Sequence, residues 1–73
     1  MVLGDVLRSR RKELGLSLRS TASRAGVDPA HLSRVEAGAV PVSDRLLERL
    51  SAVLEIPLDE LSLIAGRDRK SVV

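Results

Sequence analysis

Four glycines, Gly15, Gly26, Gly38 and Gly66, each close a stretch of apolar residues spaced as on a helix, and this punctuation limits what the chain can fold into. Glycine reaches the left-handed backbone conformation without a Cβ penalty, and that conformation is wanted just past a helix end. Helix starts fall between these stops. Ser17 is placed to cap a helix over 18–25, and Asp28 followed by Pro29 reads as an N-cap and first helical residue. Ser43 with Asp44 opens a helix to about Leu54; Pro57, with Asp59 and Glu60 behind it, opens another to about Ala65. The spacing thus predicts five helices, at 2–14, 18–25, 29–37, 43–54 and 57–65, with no strand alternation, internal repeat or low-complexity tract.

Seventy-three residues make one domain, near the lower size at which a single core folds unaided. No residue is aromatic, so the core must be built from Leu, Val, Ile and Ala. Leu3, Leu7 and Leu14 share one face of the first helix, while Leu46, Leu47, Leu50, Val53 and Leu54 form a broad stripe on the fourth. Leu16, Ala22, Val27, Leu32, Val35, Ile56, Leu58 and Leu61 complete the expected core. None of these helices is long enough to be stable alone, so packing must hold them. The expected all-α domain spans 1–66, and Arg67 to Val73 reads as a basic, mobile tail.

The same composition excludes several functions. Without aromatic rings there is no stacking platform for single-stranded nucleic acid. Without cysteine there is neither a disulfide framework nor a finger-type zinc site, and one histidine cannot make a metal cluster. No metal, cofactor or small-molecule ligand is therefore expected. No apolar run approaches membrane-spanning length and no long apolar leader opens the chain, so a cytoplasmic protein is expected. An enzyme is not expected: Cys and Tyr are absent, no glycine-rich phosphate loop is present, and so small a domain cannot wall off a catalytic cavity.

The net charge of +2 conceals a strong asymmetry. Residues 1–34 carry seven basic and three acidic side chains, residues 35–66 two basic and six acidic, and the tail three basic and one acidic. An electropositive front half suits a protein that presents one face to a polyanion.

The most informative stretch runs from Ser17 to Gly38. A short helix ends at Ala25, turns through Gly26-Val27-Asp28, and a second begins at Pro29. Ala22 is small where two helices must cross closely, and Val27 plugs the turn into the core. Leu32 and Val35 hold the second helix down and leave Pro29, Ala30, His31, Ser33 and Arg34 outward or flanking. A recognition helix that lays its N-terminal part in the major groove of duplex DNA has this arrangement.

At these residues the chain resembles the lambda-repressor-like (Xre-type, Cro/repressor) helix-turn-helix family. The resemblance runs from Leu3 to Ala65 and includes Leu7-Arg8, Arg11, Gly15-Leu16-Ser17, Ala25-Gly26-Val27, Leu32 to Gly38 and Ile56 to Leu61. It implies a compact five-helix fold whose third helix reads double-stranded DNA, and a homodimer on a two-fold symmetric operator. It also implies that Arg11 pairs with Glu36, a structural ion pair tying the first helix to the end of the third.

The chain departs from the family pattern at two places. Leu18 stands where a phosphate-binding glutamine is common, and the loop Ala39-Val40-Pro41-Val42 lacks the usual basic residues. Backbone amides at the starts of helices 2 and 3 can meet phosphates without side-chain help, so Ser17, Leu18, Arg19 and Arg24 are the expected phosphate contacts. For base contacts, Pro29 and Ala30 offer only apolar surface, while His31, Ser33 and Arg34 can reach base edges. Arg8, Arg10 and Lys12 read either as a solvated face of helix 1 or as further phosphate contacts. Val40, Val42, Leu63 and Ile64 either extend the core or form a dimer contact.

The leading function is therefore sequence-specific binding of duplex DNA by a transcriptional regulator of repressor or controller type. The alternative is a protein-interaction module on the same fold, antitoxin-like or an adaptor, which the sparse phosphate contacts favour and the charge asymmetry opposes.

Overall fold

A computed structural model describes residues 2–66, and among these all regular structure is helical: α1 (Leu3–Glu13), α2 (Leu18–Ala25), α3 (Pro29–Ala37), α4 (Asp44–Leu54) and α5 (Leu58–Ile64). The tail expected at 67–73 lies outside the described residues. The helices are trimmed relative to the sequence reading. Ser43 and Pro57 stand just outside α4 and α5 as N-caps, and Ser43 accepts a hydrogen bond from the Leu46 amide at 3.1 Å.

All four punctuating glycines turn left-handed after a helix, Gly66 following α5 at φ 81°. After α1, α2 and α3 the backbone turns left-handed at Gly15, Gly26 and Gly38, with φ of 72°, 75° and 78°. In each case the glycine amide and the next amide fold back onto carbonyls of the last turn, for example Val27 onto Ala22 at 2.9 Å. The residue after the glycine is apolar each time, and Leu16 and Val27 pack against the core. The end of α4 has the same design without a glycine. Glu55 takes the left-handed position at φ 58°, and Ile56 folds back onto Ser51 and is buried. Two bonds brace this less favourable end: Ser51 Oγ donates to the Ile56 carbonyl at 2.6 Å and Arg10 Nε donates to the Leu54 carbonyl at 2.9 Å. Arg10 therefore belongs neither to a solvated face nor to a phosphate-binding one; its guanidinium holds α1 against α4.

The core is aliphatic. Leu7, Leu32, Leu47, Leu50, Leu54 and Leu61 are essentially inaccessible, with Ala22, Ala25, Val35, Val42, Leu46 and Ile56 around them. α4 is the central element: it packs against α1, α2 and α5, while α1 and α2 both pack against α3. Val42 is thus a core residue and not presented for a dimer contact, while Val40 is half-buried against the same cluster. Leu63 remains 70% exposed. Two polar residues, Thr21 and Ser62, are also buried; the Thr21 hydroxyl donates to the Ser17 carbonyl at 2.9 Å, which removes the cost of its burial.

Gly4 has a role that differs from that of the punctuating glycines. It is buried inside the first turn of α1, and a Cβ there would collide with the backbone carbonyl of Glu36. α1 thereby reaches the last turn of α3 backbone to backbone. On helix propensity alone, Gly4→Ala should stabilise the protein by roughly 1 kcal/mol. Because of the collision, we expect a net loss of about 1–3 kcal/mol in urea unfolding. An unchanged or raised midpoint would show that α1 is not seated against α3 in this way.

Candidate nucleic-acid interface

The helix-turn-helix unit is α2, the turn Gly26-Val27-Asp28, and α3. Ser17 caps α2 by accepting from the Ser20 amide at 3.0 Å, leaving its hydroxyl hydrogen able to donate outward. Asp28 stands at the N-cap position of α3 with extended backbone but makes no side-chain cap, and Pro29 opens the helix. The first-turn amides of α3 thus get no acceptor from Asp28, and such amides are ready donors to an anion. The turn itself is held from α4: Arg49 Nη1 donates to the Ala25 carbonyl at 3.4 Å, and a Cβ on Gly26 would strike that guanidinium.

α3 divides cleanly by exposure. Leu32 and Val35 are buried; Ala30, Ser33, Arg34 and Ala37 are exposed and lie at i, i+3, i+4 and i+7, so they form one outward stripe. Pro29 and His31 are half-buried and lie on the borders of that stripe. The stripe therefore differs from the sequence reading. Ala37 joins it, and His31, expected to reach base edges, sits beside it. Ala37 was legible in principle, since it continues the Ala30–Ser33–Arg34 spacing by one more turn.

On α2, Arg19, Ser23 and Arg24 are exposed. Leu18 is half-buried against the core, so only its backbone amide, at the positive end of α2, is placed for an anion. The arginines fall into two groups. Arg10, Arg11 and Arg49 are held by protein acceptors, whereas the side chains of Arg8, Arg19, Arg24, Arg34 and Arg45 have no hydrogen bond or ion pair with the described residues. Ile64 is half-buried and Leu63 exposed at the end of α5, away from this unit in sequence. Among the described residues no group of His, Asp or Glu is arranged to hold a metal ion, and no helix is long and apolar enough to cross a membrane.

α3 is held in place at its C-terminal end. Arg11 makes a two-pronged contact with Glu36, Nε to Oε2 at 2.8 Å and Nη2 to Oε1 at 3.1 Å. Its remaining nitrogen donates to the Leu16 carbonyl at 3.2 Å. Both side chains are about nine-tenths buried, at 11% and 9% exposure. This pair and the Gly4 contact fix α1 to the same turn of α3, which leaves the outward stripe unobstructed.

Two helices joined by a glycine turn, the second presenting a clear outer stripe, define a helix-turn-helix domain. The sequence pattern of the helix-turn-helix domain matches residues 2–64, and the chain belongs to that family. It is 37% identical over 65 residues to the transcriptional regulator ClgR of Mycobacterium tuberculosis, covering 89% of this chain and 58% of that protein. It is 36% identical over 61 residues to the HTH-type transcriptional regulator SlrR of Bacillus subtilis, covering 82% of this chain and 40% of that one. The chain thus spans less than two thirds of the length of these curated relatives. No solved structure matches the chain significantly.

The buried pair yields a direct test. Arg11→Met leaves the Glu36 carboxylate buried without its partner and should cost about 3–5 kcal/mol in thermal or urea unfolding. Replacing Glu36 by Met as well should restore much of that loss, because two apolar side chains leave no uncompensated charge. Additive losses in the double variant would rule out the pairing.

Proposed function

We propose that the chain is a double-stranded DNA-binding domain of a transcriptional regulator of the lambda-repressor-like, Xre type, with α3 lying in the major groove. The observation that carries this reading is the set of three unpartnered arginines on the α2–α3 unit, beside the exposed stripe of α3 and its uncapped leading amides. Arg19, Arg24 and Arg34 all stand exposed on the α2–α3 unit without partners among the described residues; Arg8 of α1 and Arg45 of α4 are exposed and unpartnered as well, and only Arg10, Arg11 and Arg49 are bound to acceptors. The family membership and the regulators among its relatives support it. In this reading Ser17, Arg19, Arg24 and the leading amides of α2 and α3 meet phosphates and set the register. The outward stripe of α3, flanked by Pro29 and His31, meets the bases. The protein acts in the cytoplasm, where bacterial DNA resides, as a homodimer on a two-fold symmetric operator, with exposed Leu63 and half-buried Ile64 and Val40 among the apolar residues available for a subunit contact.

Binding to mixed-sequence duplex DNA at two salt concentrations tests the reading. Affinity should fall as salt rises, and Arg19→Ala or Arg24→Ala should weaken all sequences alike while reducing the salt slope by roughly 0.9 per lost phosphate contact. No binding at low salt, or binding indifferent to salt, would overturn the DNA reading in favour of a protein-interaction surface. Asp28 supplies a second check. Its exposed carboxylate stands at the end of α3 where a phosphate would dock, and it caps nothing. Asp28→Asn should tighten binding by about 0.3–1 kcal/mol at low salt, while lowering stability by a similar amount because the carboxylate favours the positive end of the α3 dipole. Equal or weaker binding would argue that no phosphate sits there.

A further inference from the structure

Resting on the DNA-binding reading, we infer that base discrimination is concentrated in Arg34, which reads a guanine about two base pairs from a thymine that packs on Ala30. The outward stripe of α3 consists of Ala30, Ser33, Arg34 and Ala37, and Arg34 alone has both length and charge. Its guanidinium is exposed and has no partner among the described residues, so it loses no protein contact on binding a base. The small neighbours add a geometric condition. Two alanines and a serine let the α3 backbone sit deep in the groove, within reach of a base edge for an arginine but offering few other polar contacts.

Chemistry then selects the base. A planar guanidinium matches the paired acceptors O6 and N7 of guanine, whereas a lone methyl such as that of Ala30 complements the thymine C5-methyl. Residues four apart are separated by about 6 Å along a helix, close to two base-pair steps of about 3.4 Å each. Ser33 donates or accepts without selecting strongly among bases. His31, half-buried at the border of the stripe, is not required for this discrimination.

Selection from a random duplex library with the wild-type chain and with Arg34→Gln tests the assignment, with circular dichroism to confirm that both are folded. The wild-type chain should enrich one strongly specified G·C pair per half-site, with a weaker T·A preference about two steps away. Arg34→Gln should lower the guanine preference roughly ten-fold or more, or replace it with adenine, whose N6 and N7 suit a glutamine amide. Ala30→Ser should weaken the thymine preference while leaving the guanine in place. Uniform weakening of all sequences by Arg34→Gln would overturn the inference and make Arg34 a phosphate contact. An unchanged guanine preference in that variant would overturn it too. If the folded wild-type chain bound no duplex at all, the DNA reading itself would fall and take this inference with it.

Discussion

The buried Arg11–Glu36 pair carries a burden that no single helix of this protein can carry alone. The longest of the five helices have 11 residues and the shortest 7, lengths at which an isolated helix is unstable in water. Their orientations must come from contacts between them. The pair attaches α1 to the last turn of α3 with a planar, two-pronged geometry that a lysine could not reproduce. Gly4 brings the two backbones together at the same place. Because both contacts act on the C-terminal end of α3, its outer stripe and leading amides stay clear.

The helix ends are closed by a repeated device, and two arginines of the scaffold are tied to it. Carbonyls at a helix C-terminus carry partial negative charge, so a guanidinium placed there is doubly favourable. Arg10 meets the last carbonyl of α4 and Arg49 the last carbonyl of α2. Both contacts cross from one helix to another, so each closes an end and locks an angle. Arg49 does this at the turn between α2 and α3, where a small change of angle would redirect the whole recognition surface. Braced in this way, the frame presents an α2–α3 surface whose own arginines, Arg19, Arg24 and Arg34, are unbound among the described residues.

Much of the fold was legible because helix ends have a local grammar. Ser17 and Ser43 accept from the amide three residues on, and Gly15, Gly26 and Gly38 turn left-handed, all within a few residues of chain. Glu55 was not legible, because its left-handed turn is imposed by the neighbours that brace it rather than by its own preference. Gly4 was overlooked for the opposite reason. Its value lies in a missing Cβ beside a residue 32 positions away, and nothing local records that. Asp28 has the residue type of a cap but makes no side-chain cap, so residue type alone overstated its part.

The interface divides in the same way. Sequence alone determined that the chain would be helical, where its helices would start and stop, and that Leu32 and Val35 would be the inner face of α3. These follow from spacing, caps and charge, all read along the chain. Tertiary structure decided which polar and apolar groups remain available. Leu18 turns inward, Val42 joins the core, His31 falls to the border of the stripe, Ala37 joins it, and Arg10 is drawn to the end of α4. The physical reason is that exposure belongs to a position in a packed assembly. A helical period says which residues share a face, but only the arrival of the other helices determines how much of that face they cover.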